Sequence, residues 1–558
     1  MDVRTAWLEP PTQSGGLDHL GIQQTPIRIF STLLPGLTVV TDRVACYTFY
    51  PWLVWAYLKD KAWLGVDFVT ALRRAECLFT LIAEHHASTE AEHVALHSRG
   101  LVGRFSLTPA LADDVRRPIP LADLAALRSD NKGSYFKNRY GGLGQYYLGP
   151  MRELGILDRH GDEVVCSEDV GVPLAKAFEA RVDRSAFFRV IRRGTVSERE
   201  LEELSSFCPC GLAGHVSERE ALIDVLFARK GRLPESDRLR RETFLLLLDL
   251  AAQRGPAAAD ELDLAFKAAC LTEALDDSKP WRIPSAWEQT RRAWAVYERS
   301  DELSVAVLGV FWVVLRLLDE QGGAAASSAA ASKHVRDLVR KTLPKLARQA
   351  AREAIRGNLS TLPPLASWCA PDHEFQRAIG VWEAARRDDM PACLEASLGV
   401  LLALGARHTS SQPYLDVAIP PDYLSYYPLN LSSFRQMIEG DWGELTVADW
   451  LADIAASWGI EAHLRVALRK LHGESIDTFL VYATDDGIRR REGRDPPKPG
   501  FTASRVDRAV RFLVDLGLAH WDMREGAEQR GEDSEDALRG WVARITPLGR
   551  ELLEALRG

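Results

Sequence analysis

Several features are missing from this sequence, and each absence narrows what the chain does. Cysteine is sparse: Cys46, Cys77, Cys166, Cys208, Cys210, Cys270, Cys369 and Cys393 are scattered over 558 residues. That is too thin for a disulfide framework and suits a reducing compartment. No uninterrupted apolar run reaches the length of a membrane span, and the start MDVRTAWLEPPTQSGG has no basic segment followed by a hydrophobic one. A soluble, cytoplasmic protein with no membrane partner is the expectation. No GxxxxGK[ST] loop is present, which argues against P-loop nucleotide hydrolysis. Gly141-Gly142-Leu143-Gly144 does not follow a buried strand, so it is not a dinucleotide fingerprint. Neither a G-x-S-x-G elbow nor the H-x-E with P-C-x-x-C pattern of zinc deaminases occurs. No strand-borne acidic cluster suggests a metal nuclease. No cofactor is expected.

What is present fits a large, mainly α protein. The length allows about three or four domains, and 46% apolar residues are enough for sizeable cores. The net charge of -9 argues against a chain coated in nucleic acid, but not against a local basic groove. Residues 21–58 stand out. Tyr47, Phe49, Tyr50, Trp52, Trp55 and Tyr57 crowd into eleven positions, with Gln23, Gln24, Thr25, Asp42 and Arg43 on either side of a Pro35-Gly36 turn. Two readings are open: a helical core segment, or the wall of a base-sized pocket made of Tyr47, Tyr50, Trp52 and Trp55. Thr41 is placed as the N-cap of a helix starting at Asp42, with a kink at Pro51.

Phe68, Leu72, Ala75, Phe79 and Ile82 step by four and three, predicting a helix with Arg73 and Arg74 off its apolar face. His85, His86, His93 and His97 follow. His93 and His97 would share a helix face, but nothing nearby in sequence completes a metal set. Cys208-Pro209-Cys210 with His215 reads as half a metal turn with its other half missing. Neither stretch is assigned a metal.

From Arg128 to Arg152 there are five basic residues and one acid. Lys132, Lys137, Asn138, Arg139 and Gln145 interleave there with Tyr135, Phe136, Tyr140, Tyr146 and Tyr147, a mixture suited to phosphates, sugars and bases. Between Lys333 and Arg356 there are eight Lys/Arg and two acids. Arg336, Arg340, Arg348, Arg352 and Arg356 recur at multiples of four, giving either a solvated helix face or a phosphate-binding stripe bent at Pro344. Arg489-Arg490-Arg491 is placed for DNA-backbone contact. QGGAAASSAAAS, residues 321–332, reads as a linker or surface loop.

An order of helix, Leu-Gly, strand, turn, strand and helix appears near residues 130–180. It recurs from Arg505 and Arg508, both expected to contact DNA, through Leu516-Gly517-Leu518, an acidic wing at 524–538 and a final Leu-rich helix. Both copies resemble winged-helix domains. The expected organisation is an N-terminal helical, aromatic-rich region (1–110), a winged-helix-like α+β module (111–195), a helical domain (196–320), a basic helix with further helices (333–485) and a C-terminal winged helix (486–558). The modules thus flank a long helical middle.

Leu20-Gly21-Ile22-Gln23-Gln24-Thr25 resembles the Leu-Gly-[Ile/Val]-Gln context of bacterial DNA glycosylases built from tandem winged helices. Gln23 matches that family's first glutamine, while Thr25 departs from its second. The chain is also similar in type to proteins of antiphage loci. The resemblance implies excision of a modified base from foreign double-stranded DNA, such as phage DNA. Gln23 would orient water and Asp42 would stabilise the cationic sugar. The alternative is a non-catalytic winged-helix regulator or the DNA-sensing subunit of a defence complex. For Asp42, a helix N-terminal charge is the competing role.

Overall fold

In a computed structural model, the described residues are 18–557 apart from 90–96, 113–117, 128–134, 161–162, 231–233, 256–261, 277, 411–426, 471–477 and 524–540. Lys132, His93 and the acidic wing at 524–538 lie outside them. The protein is mainly α-helical, with a few short antiparallel strands. It divides into two compact units, each assembled from separate stretches of chain rather than from consecutive regions. The first comprises 1–30, 267–282 and 291–502; the second comprises 31–266, 283–290 and 503–558.

In the second unit, the helix Cys46–Leu64 is buried around most of its circumference. It packs on the helices Phe68–Thr89, Gly171–Glu179 and Arg184–Arg193. Phe49 stacks on Phe79 with ring centres 4.1 Å apart, and Trp52 meets Phe187, Phe188 and Phe207. Leu72, Ala75, Phe79 and Ile82 are buried as their spacing predicts. Thr41 caps no helix: it exchanges hydrogen bonds with Thr38 in a turn, and the helix begins at Cys46. A hairpin pairs Leu157–His160 with Glu163–Cys166 and leads into the helix Gly171–Glu179. A second follows the helix Val506–Asp515, pairing Ala519–Met523 with Trp541–Ile545 before the helix Pro547–Leu556.

In the first unit, the sequence 321–332 is an exposed turn only in its first part and is otherwise structured. Ala324–Ala325 forms a strand beside Gly487–Arg490, and Ser327 caps the helix Ser328–Thr342 by accepting from the Ala330 N–H. Alanine's helix propensity, with a capping serine, overrides low complexity. Pro344 does more than bend the basic segment. The helix stops at Thr342, and a new one begins at Ala351. Proline lacks the N–H a helix needs and crowds the residue before it. Of the triple arginine, Arg490 is buried and donates to the carbonyls of Leu480 and Arg494, so it supports the chain rather than facing a ligand. Among the described residues, one window, Met390–Arg407, has the length and composition of a membrane span; 67% of it is buried inside the protein.

The long helix Glu288–Glu320 gives this unit a row of buried acids, Glu298, Asp301 and Glu302. Asp301 accepts from the Tyr297 hydroxyl at 3.0 Å and from the Thr502 N–H at 3.0 and 3.1 Å. Burial still outweighs these bonds and pushes its carboxyl up to about 6. Burial shifts Glu298 and Glu302 in the same direction. A raised acid favours the folded state while protonated. This contribution is therefore complete below the unfolded value of 3.8 and is lost as pH rises through about 6. Thermal melts of wild type and Asp301→Asn should show wild type losing ground against the variant between those two pH values. A constant difference across that window would refute the assignment.

Candidate functional site

The aromatic stretch is core, not pocket wall. Tyr47, Tyr50 and Trp52 are 0%, 2% and 0% exposed. Each polar atom is satisfied internally: Tyr47 donates to the Gly36 carbonyl at 2.6 Å, Tyr50 to Glu76 at 2.9 Å and Trp52 to Glu179 at 2.5 Å. Trp55 is half-buried, with the Lys59 ammonium 3.5 Å from its ring centre. Aromatics spread round the N-terminal half of the helix demand neighbours on every side, which leaves Tyr47, Tyr50 and Trp52 no open face for a base.

The two proposed catalytic residues have structural partners. Asp42 pairs with Arg508 at 2.7 Å and accepts a hydrogen bond from Arg511 at 2.6 Å, so its charge is already matched by two guanidiniums. Gln23 belongs to the other unit, where its amide donates to the Gly500 carbonyl at 3.2 Å. Asp18 organises the turn before it by accepting from the N–H groups of Leu20, Gly21 and Gln23. Leu20 and Gly21 line a cavity of about 360 Å³ with Tyr427, Leu429, Arg465 and Arg469.

The basic candidates divide sharply. Arg505 and Arg508 turn inward, donating to the carbonyls of Leu34 and Val39 respectively. Arg336 pairs with Asp449 at 2.6 Å and Arg352 with Glu444 at 2.5 Å; Arg340 lies 3.9 Å from Asp449. Arg340 and Arg348 are exposed. In the second unit, Lys137, Arg139 and Gln145 are exposed while the half-buried Asn138 accepts from the Tyr140 N–H at 2.8 Å. The Arg139 guanidinium lies 5.7 Å from the Tyr140 ring centre, and Phe136 meets Tyr146 edge-on.

That segment is held from beneath by the helix Phe68–Thr89. Arg73, expected off the apolar face, is 2% exposed and donates to the carbonyls of Ala125 (2.6 Å), Phe136 (3.0 Å) and Asn138 (2.6 Å). Arg74 donates to the Ile191 carbonyl. Glu76 accepts from the hydroxyls of Tyr50 (2.9 Å) and Tyr135 (2.5 Å) and the N–H groups of Gly142 (3.0 Å) and Leu143 (2.9 Å). Burial raises its carboxyl despite these donors. Gly141 has φ +55°, and a Cβ there would collide with the Glu76 carboxylate. The glycine run therefore serves this approach.

A second site forms where both metal half-motifs meet. The ligand atoms of His86, His97, Cys208 and Cys210 all lie within 4.8 Å of one another. His97 Nδ1 is 3.3 Å from the Cys208 sulfur, and His86 Nδ1 is 3.4 Å from the Cys210 sulfur. His86 ends the helix Phe68–Thr89, His97 sits in a buried turn, and the cysteines flank Pro209 at the start of a 3-10 turn. Arg43 donates to the His97 carbonyl at 2.8 Å and pairs with Asp515 at 3.0 Å. Arg181 donates to the Cys208 carbonyl at 3.2 Å and pairs with Glu218 at 2.6 Å. A hydrogen bond from Cys208, then His97 and His86, holds the Cys210 thiol below its usual value. His85 instead lies 3.7 Å from Glu198, and His215 is exposed. Sequence reasoning missed the set because 111 positions separate His97 from Cys208; the signal available was two incomplete halves.

No family model, curated protein or solved structure matches the chain.

Trp52→Ala should destabilise the protein by about 3–5 kcal/mol in urea unfolding, the range for a large core aromatic. A ring lining an open pocket would be lost at little cost in stability. Glu76→Gln, which removes the charge from a four-donor acceptor, should cost about 1–3 kcal/mol in the same assay. An unchanged urea midpoint would show that the segment above it does not depend on this carboxylate.

Proposed function

We propose that the protein binds double-stranded DNA without catalysing base excision, as a regulator or the DNA-sensing subunit of a larger assembly. One observation carries the reading. Lys137, Arg139 and Gln145 project from an aromatic segment whose backbone is fixed by Arg73 and Glu76. A stiff segment bearing cations, an amide and rings loses little entropy on meeting phosphates and sugars. The two helix–hairpin–helix stretches, 148–179 and 506–556, support a winged-helix reading of their surroundings. On the first unit, Arg340, Lys341, Lys345 and Arg348 supply further exposed charge.

Base excision is the weaker reading. It needs a ring-lined chamber and an acid free to face a cationic sugar. Tyr47, Tyr50 and Trp52 are spent on the core, and Asp42 is clamped by Arg508 and Arg511.

Fluorescence anisotropy with a DNA duplex should show affinity falling steeply with salt. In Lys137→Glu/Arg139→Glu, binding should weaken at every salt concentration, and the log–log salt slope should shrink by about two, one for each phosphate no longer neutralised. Salt-independent binding, or an unchanged slope in the double variant, would sink the proposal.

A further inference from the structure

We infer that His86, His97, Cys208 and Cys210 hold one structural zinc ion. In a tetrahedral centre with Zn–S near 2.3 Å and Zn–N near 2.0–2.1 Å, a nitrogen–sulfur edge measures about 3.6 Å. The two nitrogen–sulfur distances seen here, 3.3 and 3.4 Å, fall slightly short of that edge, while the set as a whole is stretched, its ligand atoms lying within 4.8 Å of one another. The remaining separations, all within 4.8 Å, leave room for an ion among the four atoms.

Charge points the same way. The site is largely buried, with Cys208 at 0% and His97 at 1% exposure. Two thiolates and two neutral imidazoles around Zn²⁺ sum to zero, which a low-dielectric interior tolerates far better than a lone charge. The nearest cations are committed elsewhere: Arg43 to Asp515 and Arg181 to Glu218. Both sulfurs bind as thiolates, any proton still on them passing to solvent, with no change in oxidation state. Sulfur–nitrogen tetrahedra select zinc over harder divalent ions. Four protein ligands fill the coordination shell, so no position is left for water or substrate, and the ion's role is to hold the fold.

The backbone around the ligands is built to keep them in place. Arg43 grips the carbonyl of one ligand residue and Arg181 that of another. Glu218, which pairs with Arg181, also accepts from Thr48 on the aromatic helix at 2.6 Å. Zinc would thus tie the end of the helix Phe68–Thr89 and the turn at His97 to the Cys208 turn, which already reaches the core through Arg181. This inference is independent of the DNA reading.

The test is metal analysis of the full chain, purified under reducing conditions. About one zinc per chain is expected, with none in Cys208→Ser/Cys210→Ser. His85→Ala and His215→Ala should retain it, because those side chains lie outside the set. Cobalt replacing zinc should give tetrahedral d–d bands with thiolate-to-cobalt charge transfer. If the double-serine variant fails to fold, wild type supplies the readout: a thiol-blocking mercurial should release the one zinc per chain when Cys208 and Cys210 are blocked, the other six thiols being titrated without zinc release. A strong chelator should lower the thermal midpoint. Wild-type chain free of zinc and unable to give the cobalt charge-transfer band would overturn the proposal. So would zinc retained by the double-serine variant, or a Cys208–Cys210 disulfide persisting in reductant.

Discussion

Four hydrogen bonds converge on the buried Glu76 carboxylate, and the exposed basic–aromatic segment exists in its present form because of them. Buried charge is tolerated only where partners replace water. Here the partners are two tyrosine hydroxyls and two backbone N–H groups of the segment itself. Three residues earlier, Arg73 does the reciprocal job and takes carbonyls at 125, 136 and 138. One helix face therefore supplies an acceptor for the segment's donors and a donor for its acceptors. Regular secondary structure normally meets that need. Here an acid and a base meet it for the irregular stretch that presents Lys137 and Arg139, while Gln145 follows on the π-helical turn Leu143–Tyr147.

The same device recurs, and it explains why counting charges along the chain misleads. Arg43, Arg181, Arg240 and Arg490 are all buried and all donate to backbone carbonyls. Arginine suits this role because its fixed fork reaches several oxygens and never gives up its proton. Its presence in a sequence therefore says little about which way it faces. Arg505 and Arg508 read as ligand-binding residues from their position on a basic helix, yet both turn toward carbonyls. Lys137 and Arg139, from a segment of the same character, do face solvent.

Much of the local structure was legible in the sequence. The spacing of Leu72, Ala75, Phe79 and Ile82 marked a buried helix face, and the strand pairs Leu157–His160 with Glu163–Cys166 and Ala519–Met523 with Trp541–Ile545 fall in the two stretches read as helix, Leu-Gly, strand and strand. The aromatic helix was ambiguous for a physical reason: rings that densely spaced satisfy both a core and a pocket, and only packing decides. Its polar atoms gave no help, because a Tyr or Trp hydrogen bond looks alike in either setting until the acceptor is known. The His–Cys set was illegible for another reason. Motif spacing reports ligands brought together by local geometry, whereas here tertiary folding joins a helix end, a turn and a distant C-x-C.

The helix Phe68–Thr89 serves both sites, which raises the question of whether they stand or fall together. Ten residues separate Glu76 from His86, or about 15 Å along the axis. The cradle at Glu76 is closed within itself: its donors are Tyr50, Tyr135, Gly142 and Leu143, none a neighbour of the His–Cys set. The metal corner has its own anchors in Arg43–Asp515 and Arg181–Glu218. Coupling between them passes through the shared helix, through the aromatic core beside it, where Phe79 stacks on Phe49, and through the stretch after His97, where Val102 accepts from Thr80 and lies against Gly142. Loss of an ion at one end therefore loosens the fold there first.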